Sequence, residues 1–322
     1  MSVAVTEYAV HGLNGECFQS WTHVEPNGDK TMWLNEQLLY KRPRTRAMTF
    51  GYSASVVGNT SVAGIRDNAR QLLTFLRNKR EGDGTLRRPL VFVGHSLGGI
   101  IIKQALRIAR NEHTHFPHIA DSTKGIVFFG TPHRGTDAAT WGEVIAGIKA
   151  ASFGTRPKTS IFKMLRPNSQ ELMDLSEDFR SIAENYAIVS FIEGDTFRKL
   201  GRVIVPKHSA ILELTHEHQL LLAGDHSTIV KFSREPADAN RFDAVLNGIK
   251  LAAQGPERPP MPFFDFYAAH NLSQYHDRAH AQNMWDGGGA KGQGMLSWPV
   301  AGGRREKGME ESVEEVPFRR CQ

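Results

Sequence analysis

The hydrophobic positions along the chain fall into two kinds of stretch that alternate. Short apolar runs of β character occupy 8–10, 46–52, 90–93, 124–129 and 186–192. Between them the spacing changes. Val62, Ile65, Ala69, Leu72, Leu73 and Leu76 recur at helical intervals, which predicts a helix capped by Thr60 or Ser61 and running to about residue 80. Residues 33–39 form a shorter amphipathic stretch, 100–109 a third, and 238–253 a closing helix with Phe242, Val245, Leu246 and Ile249 on one face. A further short strand is expected at 202–205. Strand and helix taking turns in this way predict an α/β architecture, a mostly parallel central sheet with helices on both faces.

The alternation breaks twice. Residues 138–175 carry Trp141, Val144, Ile145, Ile148, Phe162, Met164 and Leu165 in mainly helical segments, and a small helical cap over a pocket is expected there, with plain core helices as the other reading. From about 254 the chain becomes rich in Pro and Gly, then charged, with no sustained period. The expected organisation is one domain over 1–253 and a linker or disordered tail over 254–322.

One stretch carries chemistry. Val91-Phe92-Val93 runs into Gly94-His95-Ser96-Leu97-Gly98-Gly99 and then into the helical pattern from Ile100. That is the strand–turn–helix context of the nucleophile elbow, in which a serine sits on a strained turn and its neighbours two away must be tiny. An α/β-hydrolase fold follows. In that fold the chain order is Ser, then Asp or Glu, then His. Ser96, then Glu193 or Asp195 at the end of a buried strand, then His226 in the loop before the closing helix satisfy it. His208, His216 and His218 are less well placed, and Asp225 is better suited to shaping the loop of its neighbour. The His11-Gly12-Leu13 turn after the first strand sits where an oxyanion-hole amide belongs, so the backbone N–H groups of Leu13 and Leu97 are the expected pair. His133, in Thr131-Pro132-His133-Arg134-Gly135, either lines the pocket or is tied to backbone.

Composition narrows the picture. With 40% hydrophobic residues among 322 the chain can bury a sizeable core. No run of 18 apolar residues predicts a membrane span, and the N-terminus lacks the shape of a signal peptide or an Arg-rich presequence. The +5 formal charge is mild and local, so no nucleic-acid partner is expected. Cys17 and Cys321 are too few for a disulfide framework or a zinc site, which fits a reducing, intracellular setting. His113, His115 and His118 lack further ligands at metal spacing and read as a surface loop. Neither a cofactor nor a metal is called for.

Val-Phe-Val-Gly-His-Ser-Leu-Gly-Gly, Gly-Ile-Val-Phe-Phe-Gly-Thr-Pro-His-Arg-Gly and Asp-His-Ser-Thr-Ile-Val-Lys-Phe together resemble the serine esterase family that includes the serine-active-site-containing protein. They are also similar to the hydrolase domains at the N-terminus of fungal proteins with nucleotide-binding and repeat modules. The resemblance spans about 5–250. It implies carboxylic-ester hydrolysis of lipase or esterase type, a small-molecule or lipid ester substrate, and association with mitochondrion, endoplasmic reticulum or membrane, against the cytoplasmic location that the sequence alone suggests. Peripheral membrane contact would fit it. The resemblance favours Glu193 over Asp195, although in the family an aromatic–Glu pair often ends the strand before the base loop and here the pair is Ile192-Glu193, a departure from that pattern. The expected activity is therefore a serine hydrolase working through a Ser-His-Glu triad and an acyl-enzyme. The rival is a silent α/β-hydrolase module used for signalling or scaffolding.

Overall fold

The structure is a computed structural model, and it describes residues 5–13, 15–52, 64–116, 118–133, 146–148 and 170–256. Its strands in chain order are β1 (Val5–Val10), β2 (Thr22–Val24), β3 (Lys30–Met32), β4 (Thr45–Phe50), β5 (Leu90–His95), β6 (Thr123–Phe129), β7 (Ala187–Glu193) and β8 (Glu217–Leu222). Six of them form one sheet in the order β4-β1-β5-β6-β7-β8, every neighbouring pair parallel. β2 and β3 make a separate antiparallel ribbon.

Why the central strands read as unbroken apolar runs is plain from what covers them. Side chains alternate across a strand. Phe92, Ile126, Phe128 and Ile188 face one apolar cluster, shared with the helices Ile65–Gly82, Leu97–Asn111 and Gln170–Ala183. Val91, Val93, Val127, Phe129, Val189 and Phe191 face the other, shared with the helix Pro236–Gln254 and with Trp21, Trp33, Leu34 and Leu38. Both faces are dry, so neither needs polar positions. This is the α/β-hydrolase fold. Because the strands are parallel, the turn after β1, Ser96 after β5, the turn after β6, Glu193 at the end of β7 and the loop after β8 all emerge at one rim.

Several elements differ from expectation. The first long helix begins at Ile65, where the Asp67 side chain accepts the Gly64 N–H at 2.9 Å; Thr60 and Ser61 lie outside the described residues. The 33–39 stretch is a π-helical turn, Leu34–Leu38, followed by a short α turn, Leu39–Lys41. No strand of the sheet forms at 202–205, where the one pairing is an isolated bridge between Phe197 and Arg202. The amides there serve a side chain instead, as described below. Of the expected cap, 170–175 opens a helix whose Leu172, Leu175 and Phe179 belong to the core, and Ile148 joins the same cluster; apart from 146–148 and 170–175, the span 138–175 lies outside the described residues. The closing helix ends at Gln254, with Gly255 at φ 83°, and residues 257–322, most of the expected tail, also lie outside them. Cys17 is not a free thiol, so the expectation of a reducing setting draws no support from it.

Candidate active site

Ser96 has φ 52° and ψ −123°, a conformation that a residue with a Cβ adopts at a cost of about 1–3 kcal/mol. The surroundings hold it there. Its N–H donates to the Phe129 carbonyl at 2.9 Å, and the helix starts at the next residue. A Cβ on Gly98 would stand 2.1 Å from the Val10 carbonyl oxygen, and one on Gly94 would stand 2.8 Å from Gly99 Cα. Only glycine at both places lets strand and helix approach this closely around Ser96.

His226 meets that hydroxyl. Its Nε2 lies 3.0 Å from Ser96 Oγ and its Nδ1 lies 2.7 Å from Glu193 Oε1. A carboxylate accepts only, so the proton sits on Nδ1, and Nε2 keeps the lone pair that accepts from Ser96. The Ile204 N–H donates to Glu193 Oε2 at 2.9 Å and the Val205 N–H to Oε1 at 3.1 Å. Ser96 is 1% exposed, Glu193 3% and His226 3%, so this relay sits in a low-dielectric setting where its electrostatics are poorly screened. Asp195, the other acid, is engaged elsewhere: its Oδ2 accepts the Gly224 N–H at 2.7 Å. Asp225 accepts the N–H groups of Ser227 and Thr228 at 2.9 and 3.0 Å, and so shapes the turn that carries His226.

The turn after β1 lies against Ser96; a Cβ on Gly12 would come within 2.9 Å of Ser96 Cβ. Its position is pinned from behind. The His11 ring stacks on Tyr52 at 4.4 Å between centroids, and the Tyr52 hydroxyl donates to the His11 carbonyl at 2.8 Å. His11 Nδ1–H donates to the Gly12 carbonyl at 2.9 Å. Burial pushes the His11 imidazole down to about 4, so it stays neutral at physiological pH. Leu97 opens its helix, which leaves its N–H without an intrahelical acceptor. A cavity of about 260 Å³ opens over Leu13, Ser96 and His226, with Glu16, Gln19 and Lys231 on its walls.

The five residues singled out from sequence thus gather at one rim: Ser96, Glu193 and His226 in hydrogen-bond contact, Leu13 and Leu97 beside them. His133 is not among the residues that line the cavity at Ser96. Its N–H donates to the Ser209 carbonyl at 2.6 Å and its ring packs edge-on against Phe128. His208 lies in the short helix Lys207–Ala210 and His218 in β8, while His216 pairs with Glu184 at 3.4 Å. Among the described residues no group of three or more His, Cys, Asp or Glu gathers as a metal site, and no helix is long and apolar enough to cross a membrane. Four residues at the site went unseen in the sequence. The amides of Ile204 and Val205 carry no side-chain signature. Trp33 looked like an ordinary apolar helix position, yet its indole N–H donates to the Val230 carbonyl at 2.9 Å, below the loop of His226. His95 occupies the variable place of the elbow motif.

Comparison with known proteins places the chain. It is 28% identical over 267 residues to Protein SERAC1 of Danio rerio, covering 76% of this chain and 39% of that protein. It is 28% identical over 206 residues to Protein SERAC1 of Homo sapiens, covering 57% and 29%. The chain therefore spans well under half the length of the curated relatives it matches. Among solved structures, the Bacillus licheniformis lipase BlEst2 aligns over 76% of this chain and 90% of its own at 17% identity, with a TM-score of 0.46. The family described as "Putative serine esterase (DUF676)" matches residues 9–172. With its elbow inside that span, the chain belongs to this serine esterase family.

Proposed function

We propose that the protein is a serine hydrolase of carboxylic esters, with Ser96 as nucleophile, His226 as base and then acid, and Glu193 orienting the imidazole. The observation that carries this reading is the relay of two contacts, 3.0 and 2.7 Å, from hydroxyl through imidazole to carboxylate. A serine hydroxyl attacks only when a base takes its proton, and the base must be held in the right tautomer while it becomes charged. His226 Nε2 takes the Ser96 proton as Oγ bonds to the carbonyl carbon. The oxyanion is held by the N–H groups of Leu13 and Leu97. Collapse breaks the ester C–O bond, and His226 gives its proton to the departing alcohol. Water then repeats the route and releases the acid.

Because His226 must reach the departing oxygen, the alcohol portion sits on the Nε2 side, in the cavity beside Ser227 and Lys231. Those walls favour an alcohol with polar groups. A lipid ester is the substrate class that the family likeness adds, and with it peripheral contact with a mitochondrial or endoplasmic-reticulum membrane.

A panel of p-nitrophenyl esters from acetyl to palmitoyl, together with diacyl lipid in vesicles, tests the reading. Turnover that disappears in Ser96→Ala is expected. Well-folded protein with no turnover above the Ser96→Ala background on any of them would leave the silent-module reading standing.

A further inference from the structure

His95 is the residue before the nucleophile, and its side chain does something the motif does not ask of it. Its Nε2 lies 2.8 Å from the main-chain carbonyl oxygen of His226. A carbonyl only accepts, so Nε2 carries the proton and Nδ1 the lone pair. The two imidazole rings lie 5.0 Å apart between centroids, tilted by 42°. His226 is therefore tethered twice to consecutive residues, its ring to Ser96 and its own backbone to His95.

We propose that His95 is a positioning residue that sets the base against the nucleophile: its Nε2–H fixes the backbone of His226 to the elbow that carries Ser96. The role rests on the reading given under Proposed function. Base and nucleophile come from loops 130 positions apart in the chain. Loops drift, and a displacement of about 1 Å at a reacting pair costs up to 10²-fold in rate. A hydrogen bond from the nucleophile's neighbour makes the two loops move as one. The other groups near this bond fit the role. His95 lines the cavity with Lys231 and His226, and burial first, then the neighbouring His226, push the His95 imidazole down to about 3. It stays uncharged, as it must beside a ring that becomes cationic during each turnover.

Glutamine and methionine are near-isosteres that differ in the N–H donor, so His95→Gln and His95→Met separate the hydrogen bond from mere filling. With p-nitrophenyl butyrate, His95→Met is expected to lose roughly 10- to 100-fold in kcat with KM within about twofold, and His95→Gln to stay within about threefold of wild type. If both variants match wild type, or both fall equally, the tether is not what positions His226 and the proposal fails. Should His95→Met not fold, His95→Phe against His95→Gln makes the same comparison. A second readout does not need turnover. The His226 Nδ1 proton, held by Glu193, is expected at low field in the NMR spectrum of wild type and His95→Gln and to be lost or broadened in His95→Met. If it persists in His95→Met, the proposal is overturned. Wild type inactive on every ester sinks the esterase reading instead, and the NMR comparison still decides on His95.

Discussion

Glu193 Oε1 lies 2.7 Å from His226 Nδ1, and the same carboxylate is gripped by the backbone N–H groups of Ile204 and Val205. Three donors converge on one side chain that is 3% exposed. The carboxylate thus has little freedom to turn, and neither has the imidazole it faces. No nearby arginine or lysine pairs with it among the described residues. Fixed amide dipoles balance its charge and leave it available to His226.

Glu193→Gln replaces one of the two accepting oxygens with an NH2 that faces amide donors. Turnover is expected to fall roughly 10²- to 10⁴-fold with little change in KM. Stability is expected to fall by about 1–3 kcal/mol, because a buried N–H is left unpaired. Asp195→Asn, which alters the partner of Gly224 and not of His226, is expected to keep turnover within about threefold. Steady-state kinetics and urea melts on the two variants distinguish them. Equal losses in both would mean that the acid role is shared or misassigned.

Trp33 supports the loop that carries His226. Its ring is fully buried against Trp21, Phe232 and Phe242, and its indole N–H holds the Val230 carbonyl, four residues past His226. Trp33→Phe removes that donor and part of the packing. A loss of about 2–4 kcal/mol in a denaturant melt is expected, with a several-fold fall in turnover well below the melt. An unchanged midpoint would show that the contact contributes nothing.

Stability should depend on pH through Glu7 on β1. Burial pushes its carboxyl from 4.5 up to about 7, against the pull of Arg42, whose Nε lies 3.5 Å from Oε1. The folded state holds this proton more tightly than the unfolded chain, so this contribution is full below about pH 4.5 and is lost as pH rises through about 7. Glu7→Gln is expected to be more stable than wild type at pH 8, by up to about 3 kcal/mol, and nearly equal to it at pH 4.5. His11 works in the opposite direction. Burial lowers it from 6.5 to about 4, so its contribution is present above 6.5 and lost as pH falls. Urea melts from pH 4 to 9 on wild type and Glu7→Gln read both effects. No divergence between them above pH 7 would contradict the Glu7 assignment.

The sheet and its elbow were legible because their signals are local. A strand buried on both faces is mostly apolar, and an elbow needs glycine two places either side of its serine, as at Gly94 and Gly98. The order of Ser96, Glu193 and His226 followed from the order of the strands. Other features were hidden because their cause lies in three dimensions. Residues 202–205 have the composition of a strand, but the Ile204 and Val205 amides are taken by Glu193, so no ladder forms there. Glu193 meets His226 and Asp195 meets the Gly224 amide, a difference set by how the chain turns after β7 ends at Glu193 and not by any local signal. The cap expected at Thr60 or Ser61 lies outside the described residues; the described helix begins at Ile65 behind Gly64, whose N–H the Asp67 carboxylate accepts.

The most direct test of the central claim is the intact mass of the folded protein after reaction with a fluorophosphonate probe, followed by mapping of the modified peptide. One adduct, located on Ser96 and formed at least about 10²-fold more slowly in His226→Ala, is the expected result. An unmodified protein, or an adduct on Ser96 that forms equally fast without the imidazole of His226, would contradict the account.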